Sequence, residues 1–236
     1  MPSEQKSVTR GWFGIGGCNQ LRGGWETYQF ISPGSLPPVP QGEGRDEFAW
    51  LRAAPEPEAA LGPMEGLEFE SRLDALTVEA NELGLEIPPV LRAFVLDSSL
   101  HGKVPTSTCC YLSLSTKLIP LPDENTPGRL LRFLNDQQCC LLWYVHLLPN
   151  GQHKIVCASP EWKKGSAHGA TLDDQIEKLH ELVVCADGLE EFVRRFWVEN
   201  WVWFGEHGVK DPPREAKDYV DDLATHFSRI ELDLCA

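Results

Sequence analysis

No stretch of this 236-residue chain approaches the roughly 20 consecutive apolar residues that a membrane-spanning helix needs, so no such helix is expected. The opening "MPSEQKSVTRGWFGIGG" also lacks the continuous apolar run of an export signal, and a soluble, cytoplasmic protein is the expectation. Basic residues are scarce: 21 Lys and Arg face 35 Asp and Glu, a formal net charge of −14. That balance speaks against nucleic acid or an anionic membrane as a direct partner, because each would repel a surface of its own sign. Cys-x-x-Cys is absent, and no Cys and His group at the spacing of zinc ligands, so neither a metal nor another cofactor is expected. Gly14, Gly16 and Gly17 invite comparison with a dinucleotide-binding turn, but Cys18 and Asn19 stand where a further glycine is needed. That reading is rejected.

What the chain does hold is an ordinary share of hydrophobic residues, 42%, enough for a substantial core. Its 8 cysteines would suggest a disulfide framework in a small secreted domain, whereas in a chain this long without an export signal they are expected to stay reduced. Cys109-Cys110 and Cys139-Cys140 are adjacent pairs that would point to opposite faces of a strand, and most of the cysteines read as small buried apolar residues. The acidity is uneven. Residues 171–236 carry 7 basic and 16 acidic side chains, against 5 and 7 in residues 1–63 and 9 and 12 in residues 64–170. Such an end is either a solvated surface or an attractor for a basic protein partner.

Along the chain, "WETYQFI" (Trp25 to Ile31) reads as a strand, and the Pro, Gly and Glu of residues 32–63 as a linker or a laid-down arm with one possible helical turn at Asp46–Arg52. From Met64, Leu67, Leu73, Leu76, Ala80 and Leu83 keep helical spacing up to a stop at Gly84, and Pro88-Pro89 opens a second helix through Val95. The period then changes to that of strands at Thr108–Ser115, Arg129–Asn135, Cys139–Leu148 and His153–Ser159, with Asn150-Gly151 as the turn of a hairpin. The third of these is apolar on both faces, which predicts the middle of the sheet. "TLDDQIEKLHELV" reads as a helix capped by Thr171, with Leu172, Ile176 and Leu179 inward and the Asp173-Asp174 pair solvated. The strongest helical pattern is "DGLEEFVRRFWVENWVWFGEHG", followed by an acidic helix opened by Asp211 and two prolines, and "RIELDLC" as an edge strand or arm.

Three of these segments, in this order, resemble the SUKH superfamily of bacterial toxin-immunity proteins and related scaffold and regulator domains. They are "LEIPPVLRAFVLD", "LLRFLNDQQCCLLWYVHL" and "LEEFVRRFWVENWVWF", and the resemblance covers roughly Met64 to Gly208. It implies an α+β fold, with a curved, mostly antiparallel sheet flanked by helices, and a protein that works by binding and not by turnover. Residues 1–63 then form an N-terminal aromatic and glycine-rich extension, and residues 64–236 a SUKH-like domain ending in an acidic helix and tail.

No cysteine or histidine sits in a recognisable nucleophile signature, so no catalytic residue and no enzyme activity is expected. Candidate partner-binding residues are Asn135, Asp136, Gln137 and Gln138, which either present hydrogen bonds to a partner or only turn the corner between two strands. Trp197 and Trp201, one helical turn apart, are either exposed anchors or the seat on which Trp12, Trp25 and Trp50 pack. Asn200, in an apolar stripe, reads as a structural bridge to the sheet more than as a ligand contact. Asp218, Asp221 and Asp222 are candidates for contact with a basic protein, such as a toxin. The alternative function is a small-molecule-binding or accessory scaffold protein, with a pocket between the N-terminal segment and the sheet.

Overall fold

The computed structural model describes residues 9–15, 28–39, 48–63, 68–121, 126–163, 171–179 and 182–222. The predicted strand "RIELDLC", and with it Trp25, Cys18 and Cys235, lies outside them. The fold is α+β, built on a mixed, open sheet of seven strands. In spatial order these are β1 (Thr9–Arg10), β11 (Val183–Ala186), β8 (His153–Ala158), β7 (Leu142–Leu147), β6 (Arg129–Asn135), β5 (Tyr111–Leu112) and β4 (Gly62–Pro63). The four inner pairings are antiparallel and the two outermost are parallel.

Alternation along the strands assigns side chains to two layers. On the first face Leu131, Phe133, Trp143, Val145, Ile155 and Cys157 pack under helix α6 (Leu189–Glu206), which lays Phe192 and Phe196 across them. Helices α2 (Phe69–Glu82), α3 (Pro89–Leu96) and α4 (Ser98–His101) extend this layer, with α2 stopping where Gly84 takes a φ of 67°. On the second face Leu130, Leu142, Tyr144 and Val156 lie beneath a ribbon formed by β9 (Pro160–Trp162) and β10 (Ile176–Leu179), with the short helix α5 (Leu172–Gln175) leading in. Strand β7, predicted as the middle, is fourth of seven and buried along its whole length. Gly151, at φ 74°, closes its hairpin with β8.

The described parts of residues 1–63 are woven into this body. β2 (Trp12–Ile15) and β3 (Tyr28–Ile31) form a separate hairpin, β1 and β4 edge the main sheet, and α1 (Ala49–Arg52) puts Phe48 and Leu51 into the core. Trp12 packs on Phe192 and Trp50 stands edge-on to Trp197 at 5.6 Å, so these two of the three N-terminal tryptophans seat on the aromatic helix. A further helix, α7, is described from 214 to 222.

Several expectations are corrected. The strand expected over Thr108–Ser115 shrinks to Tyr111–Leu112, and that over Cys139–Leu148 begins only at Leu142. In both cases the first cysteine of an adjacent pair takes a left-handed conformation, Cys109 at φ 52° and Cys139 at φ 55°, which no strand continues through. Cys140 is accordingly exposed and not core packing. The helix expected from Thr171 runs for only one turn, although Thr171 does cap it, because residues from Ile176 onward pair with β9 instead. Asp173 is not solvated: it is buried in an ion pair with Arg132, each side chain 2% exposed.

Candidate functional site

The three candidate groups have separate fates. At the corner, Asn135 and Asp136 are buried and engaged, while Gln137 and Gln138 are exposed. Asn135 accepts a 2.9 Å bond from Arg132, and Asp136 accepts from Tyr28 Oη at 2.9 Å and from the backbone N–H of Gln138 and Cys140. Asp136 therefore builds the corner, and only the two glutamines face outward. Beside it, burial pushes the Cys110 thiol up to about 11, an environment that suppresses the nucleophilic thiolate. His146 bonds the Pro127 carbonyl at 2.9 Å. Asn200 is a structural bridge, but to the turn at Ser107 and not to the sheet, accepting from Ser107 N and Oγ and donating to the Phe196 carbonyl.

Trp201 is fully buried and makes no exposed anchor, whereas Trp197, only 4% exposed, forms a wall of a cavity of about 390 Å³. This cavity lies where three segments meet, and not against the sheet. The N-terminal arm brings Pro38, Val39 and Trp50; α6 brings Arg194, Trp197 and Val198; α7 brings Glu215, Asp218, Tyr219 and Asp222. Trp197, Asp218 and Asp222 from the sequence reading thus share one site. Asp221 points elsewhere, into a shallower groove beside Gly205 and Pro212.

Local sequence explains the convergence. Glu215, Asp218, Tyr219 and Asp222 recur at intervals of three, four and seven residues, which places them on one face of a helix. Arg194, Trp197 and Val198 follow the same rule on α6. That face of α7 combines an aromatic residue with three carboxylates, and its spacing was the available signal for Glu215 and Tyr219. Trp50 and Arg194 had no such signal, since their meeting depends on where the arm is laid.

The Arg194 guanidinium stacks 4.3 Å from the centre of the Trp50 ring and lies 3.7 Å from Glu190. Burial lowers its pKa, partly offset by Glu190. Nε1 of Trp50 and of Trp197 are buried and bond no protein group. Behind the cavity, the buried Glu199 carboxylate accepts from Trp12 Nε1 at 2.9 Å and from Tyr219 Oη at 3.1 Å, and Arg195 donates to Tyr219 Oη and the Pro37 carbonyl. These bonds tie arm, α6 and α7 together and fix the cavity's shape. Its chemistry is an aromatic wall, with the Arg194 guanidinium stacked on it, under a rim of three carboxylates.

Among the described residues no cluster of three or more His, Cys, Asp or Glu could hold a metal, and no helix is long and apolar enough to cross a membrane. Comparison with family models, with curated proteins and with solved structures returned no match.

Burial lowers the pKa of His101, His146 and His153. The fold therefore favours neutral imidazole, and the unfolded chain binds more protons once the pH falls below about 6.5. Stability is complete above that pH and declines as it falls toward the lower folded values. Thermal melts should show Tm falling between pH 7 and pH 5, with a shallower slope in His146→Gln. A flat or rising profile would contradict this assignment.

Proposed function

We propose that this chain is a non-catalytic, SUKH-like binding protein whose aromatic, acid-rimmed cavity receives a basic side chain from a protein partner, with a toxin domain as the partner class that the resemblance brings. One observation carries the reading: Trp197, from one candidate group, and Asp218 and Asp222, from another, line a single cavity with Trp50. A cation gains from nearby carboxylates and from an aromatic face such as that of Trp50, which Arg194 already engages in this way. The net charge of −14 favours encounter with a basic partner over long range.

A second reading, a small-molecule site, draws on the cavity volume of about 390 Å³, which falls in the range of ligand pockets. A library of short Lys- and Arg-bearing peptides, titrated against the protein's tryptophan fluorescence, separates the two. The first reading expects binding that weakens about tenfold or more in Trp50→Ala and in the Asp218→Lys, Asp222→Lys double variant. It also expects weakening when salt is raised. Binding indifferent to both variants and to salt would overturn it. Peptide silence together with thermal stabilisation by an uncharged ligand would favour the second.

A further inference from the structure

We propose that Cys157 and Cys185 are a site of reversible oxidation, closing a cross-strand disulfide between β8 and β11 under peroxide. Their sulfurs stand 3.1 Å apart, about 1 Å beyond a covalent S–S bond. A local irregularity makes this possible. Cys157 faces Val183 across the ladder, and Cys185 lies two residues farther along, a diagonal position. Diagonal neighbours on a regular ladder stand about 7–8 Å apart, beyond bridging reach. Here the register slips between Val184 and Ala186, so Cys185 is the extra residue of a bulge and is carried toward its neighbour. Both side chains lie on the first face of the sheet, Cys157 in the core and Cys185 half-buried against it. Among the described residues no other two thiols are in sulfur–sulfur contact, and Cys109 and Cys140, although exposed, have no facing thiol.

The more accessible Cys185 is the point of attack. Its sulfur takes one oxygen from hydrogen peroxide, the O–O bond breaks, and sulfenic acid and one water result. The Cys157 sulfur then displaces that oxygen, the S–S bond forms, and a second water leaves with both thiol protons accounted for. The two electrons given up by the thiols reduce the peroxide. Burial and the contact with Cys185 push the Cys157 thiol well up, which makes it the slow, resolving partner. The bridge would fasten β11 to the inner strand just before α6 begins at Leu189.

The test uses the full chain with Cys18, Cys109, Cys140 and Cys235 replaced by serine, treated with hydrogen peroxide and then with dithiothreitol. The expected product is lighter by two hydrogens, yields one peptide linking Cys157 to Cys185, melts about 5–10 °C higher, and reverts on reduction. The same background with Cys185→Ser should give no bridge. Sulfinic acid at Cys185 without the linked peptide would overturn the proposal, as would a linkage mapped to Cys110 and Cys139. So would an unchanged mass under conditions that oxidise Cys109 and Cys140 in the unsubstituted chain.

Discussion

Replacing Asp173 with alanine is expected to lower stability by about 3–5 kcal/mol, because it strands the Arg132 guanidinium in the interior. Arg132 spends Nε on Asp173 Oδ1, and its Nη2 lies 3.0 Å from the same oxygen, while Nη1 bonds Asn135 and both the carbonyl and hydroxyl of Ser113. The other Asp173 oxygen accepts from Thr116 N at 2.8 Å. Removing the carboxylate leaves a guanidinium at 2% exposure without this counter-ion and with only neutral acceptors on Nη1. Urea melts of Asp173→Ala, of Arg132→Leu and of the double variant with both replaced by leucine give the comparison. The double variant should recover much of the loss, since two apolar groups leave no uncompensated charge. A single variant within about 1 kcal/mol of the parent would show that the pair is not buried as described. The ribbon of β9 and β10 hangs on this pair through α5, so hydrogen exchange should quicken there first in Asp173→Ala.

The second large effect is expected at Trp12. Its ring, 3% exposed, lies 5.5 Å from that of Phe192, and its N–H supplies one of two named donors to the buried Glu199. Truncation to alanine removes a large core side chain, costing about 3–5 kcal/mol. Trp12→Phe keeps much of the packing but drops the donor, and should cost about 1–3 kcal/mol. Glu199 shares its other oxygen with Tyr219, which lines the cavity, so Trp12→Phe should also weaken binding of basic peptides without touching them. Unaltered binding in a folded Trp12→Phe protein would mean that the bonds behind the cavity do not govern its shape.

Sequence reading went furthest where a single physical rule dominates. The apolar run of β7 on both faces identified the middle strand, Gly84 and Gly151 marked turns that require a positive φ, and Pro88-Pro89 opened α3. It failed where distant partners override local pattern. Asp173 looks solvated in "TLDD" because the helical context suggests a surface, and only the placement of Arg132 on β6 turns it inward. Ile176–Leu179 has a serviceable helical period and becomes a strand because β9 offers it a ladder. Cys109 and Cys139 adopt a conformation that cysteine disfavours, which propensity does not foresee. The cavity was half legible: the α7 face is written in its spacing, whereas Trp50 reaches it through an arm whose path is set by packing.

The outermost strands have a consequence for synthesis. β1 pairs Thr9 with Val183, and β4 pairs Gly62 with Tyr111, so early residues finish both borders of a sheet whose inner strands are made later. At roughly 5–20 residues per second on the ribosome, the first border strand waits about ten to thirty seconds for its mate. Until β11 is made, β1 has no ladder to join and the outer edge of β8 is open to pairing with another nascent chain. Distant pairing at both borders makes completion of the sheet slow, independently of how stable the finished protein is.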